Sequence, residues 1–170
     1  MSETRAPRVA VVTASNRASA GVYPDRSGPV IVERLRALGC EPLGPWVVPD
    51  GPPVAEAIER ALTEHAEAVL TTGGTGVTPQ DLTPEATRSL ITYEVPGIAE
   101  AIRAAGREKG VPTSILSRGL AGVIVRGDRR LLVVNLPGSR GGASDGMDVL
   151  APVLGHALDQ LRGADHPRSE

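Results

Sequence analysis

The part of the chain that decides the fold is the segment at residues 71–85, Thr71-Thr72-Gly73-Gly74-Thr75-Gly76-Val77-Thr78-Pro79-Gln80-Asp81-Leu82-Thr83-Pro84-Glu85. A short apolar run at residues 66–70 precedes it and predicts a buried strand, and the Thr-Pro-Glu at its end predicts the start of a helix. Three glycines in four positions allow a turn whose backbone N–H groups point at an anion. The simpler interpretation is a tight strand-to-helix turn made of small residues.

Polar side chains in this turn predict contacts to a phosphate group and to a divalent cation. The hydroxyls of Thr72 and Thr75 can add hydrogen bonds to those of the backbone. Asp81 follows in a proline-flanked loop, where a carboxylate can hold Mg²⁺ beside a phosphate. The glycines are not followed by the Gly-Lys-Ser/Thr of a Walker A loop, and they lack dinucleotide-binding spacing. Taken alone, the segment favours a plain strand-to-helix turn, and Mg²⁺-assisted phosphate chemistry or binding is the alternative that the rest of the chain must support.

The composition narrows the class of protein. The chain has 170 residues and no Phe, so its core must be built from Val, Leu, Ile and Ala. Scarce aromatic residues and a net charge of -2 argue against a nucleic-acid partner. A single cysteine, Cys40, excludes an internal disulfide, and three scattered histidines show no metal-ligand spacing. No apolar run approaches the ~20 residues of a membrane span, so we expect a cytoplasmic protein without a membrane partner.

Apolar periodicity on both sides of the central turn predicts alternating strands and helices. Residues 9–13 predict a first buried strand, and residues 42–48, interrupted by a proline, predict a strand at the edge of the sheet. Two further runs, at residues 122–125 and 131–134, predict a hairpin that makes the sheet mixed. The intervening segments carry apolar residues at helical spacing, and the strongest apolar stripe spans residues 149–161.

This alternation predicts the fold class. Strands that alternate with helices favour a mainly parallel sheet covered on both faces, so we predict an α/β fold with three α/β/α layers. No internal repeat or linker divides the chain, and we place one domain at residues 8–163. Residues 1–7 and 164–170 are polar and are predicted to be flexible.

Such a fold gathers its binding loops at the carboxyl ends of the strands. We expect Ser15 and Asn16, Asp50, the central loop and the second glycine turn to meet there, the last comprising Pro137, Gly138 and Ser139. Two carboxylates, Asp50 and Asp81, suit a hard cation such as Mg²⁺. The simpler role for Asp50 is to cap the helix that begins near residue 52. Further oxygens of a ligand can be met by Ser114, Ser117 and Arg118.

Several of these motifs together resemble one known family. They are Thr71-Thr72-Gly73-Gly74-Thr75-Gly76, Asp81-Leu82-Thr83-Pro84-Glu85, Glu94-Val95-Pro96-Gly97, Leu116-Ser117-Arg118 and Asn135-Leu136-Pro137-Gly138-Ser139, preceded by the first loop from Ser15 to Gly28. The motifs occur in the same order as in the Mog/MoaB family of molybdenum cofactor biosynthesis, and they cover residues 8–163. The resemblance implies the molybdopterin-binding fold of that family and, typically, a homotrimer.

The resemblance also implies a reaction and a set of site residues. Active members are molybdopterin adenylyltransferases, which convert molybdopterin and ATP into adenylyl-molybdopterin and pyrophosphate with Mg²⁺. By the pattern of the family, Asp50 and Asp81 would be both catalytic and metal-binding. The phosphates of the nucleotide would be bound by Thr72, Gly73, Gly74, Thr75, Gly76 and Ser15. Molybdopterin would be bound by Ser114, Ser117, Arg118, Pro137, Gly138 and Ser139.

Two departures from the family pattern leave alternatives open. Asn16 stands where many members have an aspartate, so one carboxylate is missing from the first loop. Arg140 and two glycines follow Ser139 where members often continue with a proline. The enzyme is therefore one hypothesis, and a non-catalytic homotrimer that binds molybdopterin or a partner protein is a second. A scaffold whose glycine loops are only turns is the third.

Overall fold

A computed structural model describes residues 5–163 as one domain built on a six-stranded sheet. The strands are β1 (Arg8–Ala14), β2 (Glu41–Val48), β3 (Ala68–Thr72), β4 (Tyr93–Glu94), β5 (Ala121–Arg126) and β6 (Arg129–Leu136). Across the sheet they follow the order β2-β1-β3-β6-β5-β4. β1 pairs in parallel with β2 and β3, and β3 pairs in parallel with β6, whereas β5 and β4 extend the sheet in antiparallel fashion. The predicted mixed sheet, the hairpin and the edge position of β2 are confirmed.

Helices cover both faces of the sheet. On one face α2, α5 and α6 enclose an apolar cluster, and on the other face α3 packs on the sheet with α4 beside it. The predicted three-layer α/β/α architecture is therefore confirmed. Within residues 5–163 no helix combines the length and the apolar character needed to cross a membrane. The helices are α1 (Asn16–Ser19), α2 (Gly28–Ala37), α3 (Pro52–Thr63), α4 (Thr83–Arg88), α5 (Pro96–Glu108) and α6 (Arg140–Leu161), with a short 3₁₀ helix at Pro112–Leu116.

Strand β1 shows why the core needs no aromatic residues. Val9 and Val11 belong to the cluster under α2 and α6, whereas Ala10 and Val12 belong to the cluster under α3. All four side chains are fully buried. Successive residues of a strand face opposite sides of the sheet, so a strand between two helical layers must be apolar throughout. The β-branched and small residues fill both layers from one strand.

Three elements were not predicted from the sequence, and one of them is the 3₁₀ helix at Pro112–Leu116. The polar segment after β1 contains a short helix, α1, because the Ser15 hydroxyl accepts a hydrogen bond from the Ala18 amide at 3.1 Å and caps it. Strand β4 has only two residues, both exposed, and therefore gives no periodic signal. Of the predicted flexible ends, residues 1–4 and 164–170 lie outside the described part of the chain.

The only tryptophan of the chain lies on the edge strand β2. The guanidinium carbon of Arg60 sits 3.9 Å from the centroid of the Trp46 ring, within the range of a cation–π contact. Arg60, on α3, also donates a hydrogen bond to Glu64 at 2.7 Å. The contact therefore joins the edge of the sheet to the helix that covers it.

Candidate functional site

Four parallel strands end at the same edge of the sheet. Their pairing places Ala14 opposite Val48, and Thr72 opposite both Thr13 and Leu136. The loops that follow these strands surround an open cleft of about 800 Å³. This is the edge at which α/β folds bind ligands, and the strand order reverses its direction there, between β1 and β3. The predicted site residues that line the cleft are Ser15, Asp50, Thr72, Gly73, Gly74, Asp81, Gly138 and Ser139.

The two glycine turns touch each other through their backbones. Gly73 has a φ of 92°, and a Cβ at this position would overlap the carbonyl oxygen of Ala14. A Cβ on Gly138 would lie 2.9 Å from the Cα of Gly73. The Thr72 hydroxyl donates a hydrogen bond to the carbonyl of Pro137 at 2.6 Å. The loops after β1, β3 and β6 are thus held together at contact distances that only glycine allows.

Asp50 turns its carboxylate toward the cleft instead of capping α3. The N-cap of α3 is Gly51, and no side chain caps that helix. One oxygen of Asp50, Oδ2, accepts a hydrogen bond from the backbone N–H of Asn16 at 3.3 Å. In return the backbone N–H of Asp50 donates to the side-chain oxygen Oδ1 of Asn16 at 3.0 Å. Burial raises the pKa of Asp50, and the negative charge of Asp81 raises this pKa further against the opposing effect of the Asn16 hydrogen bond. The predicted capping role is therefore wrong.

Asp81 lines the same cleft from the central loop. Its Oδ2 accepts hydrogen bonds from the Thr78 amide at 3.0 Å and from the Thr78 hydroxyl at 2.8 Å. These bonds close a tight turn that fixes the carboxylate beside Gly76. The structure therefore brings together two carboxylates, Asp50 and Asp81, that are 31 positions apart in the sequence.

The carboxylate oxygens of Asp50 and Asp81 are the kind of ligand that Mg²⁺ prefers. In residues 5–163 no group of three or more His, Cys, Asp or Glu side chains is arranged to hold a metal. Mg²⁺ commonly uses only one or two protein carboxylates, and completes its octahedron with water and the phosphates of a substrate. Asp50 and Asp81 supply that donor set, and the glycine turns beside them leave room for phosphates.

Arg118, which was predicted to bind a ligand, instead lies behind the central loop. Its guanidinium donates to the carbonyl of Gly76 at 2.8 Å and to the carbonyl of Asp81 at 2.6 Å, and forms an ion pair with Glu85. Its backbone amide donates to the carbonyl of Thr75 at 2.7 Å. The ion pair with Arg118 lowers the pKa of Glu85. Arg118 therefore supports the loop that carries Asp81 and does not line the cleft.

The two predicted serines are not among the residues that line the cleft. The Ser114 hydroxyl donates to the carbonyl of Arg103 at 2.9 Å, where it packs against Gly106. The carbonyl of Ser117 accepts a hydrogen bond from Arg103 at 3.3 Å. These serines and Arg118 lie on the segment between α5 and β5, and the cleft is formed by other loops.

Several cleft residues were not singled out from the sequence. Asp25 accepts hydrogen bonds from the Thr13 hydroxyl at 2.8 Å and from the amides of Ser27 and Gly28, which fixes the first loop and the start of α2. The signal for Asp25 was its position in a polar loop directly after a buried strand. Three arginines also line the cleft, Arg17, Arg26 and Arg140. Of these, only Arg140 was singled out from the sequence.

Asn135 connects the elements beneath the cleft. Its side-chain NH₂ group donates hydrogen bonds to the hydroxyls of Thr71 at 2.9 Å and Thr87 at 3.0 Å, and its Oδ1 accepts one from the backbone N–H of Leu120 at 3.1 Å. The side chain is buried, so each of its polar atoms needs these partners. Asn135 thus ties β6 to β3, to α4 and to the start of β5.

The chain is similar to proteins of one known family. Residues 10–156 match the family described as "Probable molybdopterin binding domain". The molybdopterin adenylyltransferase of Pyrococcus furiosus is 36% identical over 89% of this chain and 89% of that protein. The solved structure of the molybdopterin biosynthesis Mog protein from Mycobacterium ulcerans is 48% identical, with a TM-score of 0.84 over 93% of this chain and 98% of that one.

A bifunctional relative is longer than this chain. The molybdenum cofactor biosynthesis bifunctional protein of Synechococcus elongatus is 40% identical over 92% of this chain but only 48% of that protein. The chain therefore spans about half the length of the bifunctional relatives that it matches. The matches to relatives of similar length cover 89–93% of this chain and 89–98% of theirs. The chain thus belongs to the Mog/MoaB family of molybdenum cofactor biosynthesis proteins.

Proposed function

We propose that the cleft transfers the adenylyl group of ATP to molybdopterin, giving adenylyl-molybdopterin and pyrophosphate. A phosphate oxygen of molybdopterin forms a bond to the α-phosphorus of ATP, and the bond from that phosphorus to the oxygen of the β-phosphate breaks. The observation that carries the proposal is the meeting of Asp50 and Asp81 beside two glycine turns in one cleft. Relatives of 35–38% identity are named molybdopterin adenylyltransferase, which supports the same reaction.

Asp50 and Asp81 are the proposed catalytic and metal-binding residues. Mg²⁺ bound between them would neutralise charge on the phosphates while two anionic substrates approach each other. Oδ2 of Asp50 faces the Asn16 amide at the rim of the cleft, and the Asp81 carboxylate is held by Thr78. The Thr78 bonds orient the Asp81 carboxylate before a substrate arrives, and the Asn16 bond restrains one oxygen of Asp50, which favours accurate positioning of the reacting phosphorus.

The nucleotide phosphates are proposed to bind at the central turn. Gly73 and Gly74 line the cleft and have φ values of 92° and 66°, a conformation in which backbone amides can surround an anion. Thr72 and Ser15 line the cleft as well, although their hydroxyls already bond to protein groups. Thr75 and Gly76 complete the proposed set from within the same turn.

Molybdopterin is proposed to bind on the other side of the cleft, at the second glycine turn. Gly138 and Ser139 line this side, where Ser139 caps the long helix α6 by accepting from the Gly142 amide at 3.0 Å. Arg140 begins that helix and adds a positive charge for a phosphate. Pro137 belongs to the same proposed set. The contribution of Ser114, Ser117 and Arg118 to pterin binding stays a prediction.

The test is release of pyrophosphate from ATP in the presence of molybdopterin and Mg²⁺. We expect Asp81→Asn to reduce the rate by about 10²-fold, because it removes a charge that faces the transferring phosphate. Asp128→Asn is the matched control, since Asp128 is an exposed carboxylate in the β5–β6 turn at the other end of the sheet. Absence of release by folded protein, or an Asp81→Asn variant as fast as the control, would contradict the proposal.

Asn16 supports a second candidate, a non-catalytic molybdopterin-binding protein. Its Oδ1 accepts the Asp50 amide, a bond that an aspartate would also make, but Asn16 brings no charge to the cleft. Calorimetry separates the two candidates: the enzyme binds Mg²⁺-ATP tightly, whereas a binding protein takes molybdopterin without any effect of ATP. We further propose a homotrimer in solution for either candidate, to be checked by analytical ultracentrifugation.

A further inference from the structure

Two buried polar atoms that lack hydrogen-bond partners lie next to Gly74. Among residues 5–163, three buried side-chain atoms lack a hydrogen-bond partner, and two of them are Asp50 Oδ1 and Thr83 Oγ1. Both atoms lie within 2.5 Å of the position that a Cβ on Gly74 would occupy. Both atoms therefore lie beside Gly74, and the missing side chain of this glycine leaves the space between them and its Cα open.

The backbone groups of Thr83 form hydrogen bonds, but its hydroxyl forms none. Thr83 is fully buried at the start of α4, where its amide donates to the carbonyl of Gly74 at 3.0 Å. Its carbonyl accepts the hydroxyl of Thr87 at 2.8 Å. The backbone thus fixes the residue, and the hydroxyl alone is uncommitted. A threonine hydroxyl can donate one hydrogen bond, and a carboxylate can only accept.

The two oxygens of Asp50 have different environments. Oδ2 accepts from the Asn16 amide at the rim of the cleft, whereas Oδ1 points inward to Gly74 and Thr83. A single hydrogen bond of 3.3 Å at Oδ2 restrains rotation about the Cβ–Cγ bond only weakly. A donor on the inner oxygen would fix that rotation and keep Oδ2 toward the cleft.

We propose that Thr83 is a positioning residue whose hydroxyl donates to Asp50 Oδ1 and holds the carboxylate in its working orientation. One bond satisfies two buried atoms at once, each of which is costly to leave unpaired. The bond is not formed in this structure, and the proposal rests on the closeness of both unpaired atoms to Gly74. Its consequence for turnover rests on the proposed adenylyl transfer, so the two are tested separately.

The first test measures the bond without reference to any activity. A double-mutant cycle combines Thr83→Val, which keeps the shape and removes the hydroxyl, with Asp50→Ala, which removes the acceptor. We expect Thr83→Val to lower the folding equilibrium constant about tenfold or more when Asp50 is present, and to have little effect in the Asp50→Ala background. Thr83→Ser, which keeps the donor, is expected to lose much less. Equal effects of Thr83→Val in both backgrounds would overturn the proposal, as would a variant as stable as wild type.

The second test measures the consequence for catalysis. We expect Thr83→Val to lower kcat for pyrophosphate release about tenfold while the KM for ATP changes little, because the carboxylate is still present but poorly oriented. Thr83→Ser should restore most of the rate. A Thr83→Ser variant as slow as Thr83→Val would overturn the positioning role. If wild type releases no pyrophosphate, the adenylyl transfer fails, and the double-mutant cycle still decides whether the bond exists.

Discussion

Replacing Gly73 by alanine tests whether the convergence of the three loops depends on contact between their backbones. The φ of Gly73 is 92°, and a Cβ there would overlap the backbone carbonyl of Ala14 at the end of β1. Ala14 lies in a strand that is hydrogen-bonded on both sides, to β2 and β3. The carbonyl therefore cannot move away without disturbing the middle of the sheet.

The cost of Gly73→Ala has two parts. The positive φ costs an alanine about 1–2 kcal/mol. The overlap with Ala14 adds about 1–3 kcal/mol, the usual cost of overpacking a site that cannot relax. Gly110 offers the matched control, because its φ is 85° and a Cβ there would meet nothing within 4 Å. We thus expect Gly73→Ala to destabilise the protein by about 2 kcal/mol more than Gly110→Ala.

Thermal unfolding of the two variants provides the measurement. For a domain of this size, about 2 kcal/mol corresponds to a Tm difference of roughly 4–8 °C. Pyrophosphate release should also fall in Gly73→Ala, because the altered backbone belongs to the proposed phosphate site, and should be unchanged in Gly110→Ala. Equal Tm values for the two variants would refute the view that close approach of the loops holds the cleft together.

Three further perturbations follow from contacts of the site. Asn135→Leu should lower the free energy of unfolding in urea by about 2–3 kcal/mol, because it leaves the buried Leu120 amide without an acceptor. Glu85→Gln should cost about 0.5 kcal/mol at pH 7 through loss of the exposed ion pair with Arg118. The folded-state pKa of Glu85 is lowered, so this contribution exists above the unfolded-state pKa and disappears as the pH falls through the folded-state value. Arg140→Gln should weaken Mg²⁺-ATP or molybdopterin binding in calorimetry about three- to tenfold, most strongly at low salt.

Two of these predictions have a matched control variant. Arg36→Gln removes an exposed arginine of α2 that does not line the cleft, so it should leave ligand affinity unchanged. Glu56→Gln removes an exposed carboxylate of α3 and should change the free energy of unfolding at pH 7 less than Glu85→Gln does. An Asn135→Leu variant with wild-type stability would show that the buried network is dispensable. A ligand affinity equal for Arg140→Gln and Arg36→Gln would remove Arg140 from the binding site.

Periodicity and turn residues were enough to predict the architecture. The apolar run of β1, the glycine turn after β3 and the apolar stripe of α6 each satisfy a local rule, and each was confirmed. The short strand β4 escaped prediction because two exposed residues paired with β5 have no pattern of their own. A strand this short is defined only by its hydrogen bonds to a neighbouring strand, and β5 is distant from it in the sequence.

The sequence predicted only part of the candidate site, because some of its contacts join segments that are distant in the sequence. Asp50 and Asp81 were expected to meet because both follow strands, and strand ends converge in a parallel sheet. The position of Arg118 behind the central loop depends on how the segment between α5 and β5 folds back, which no local pattern encodes. Thr83 was noticed only as the start of a helix, and its orphaned hydroxyl is visible only in three dimensions.

The position of Trp46 gives this chain a built-in optical probe. With no second indole present, the fluorescence of the protein comes mainly from the edge of the sheet, two residues before the strand end that leads to Asp50. A shift in emission on adding nucleotide would therefore report movement at that edge, transmitted from the loop next to it. Emission that stays constant while ligand binds would mean that the scaffold is already rigid before its substrates arrive.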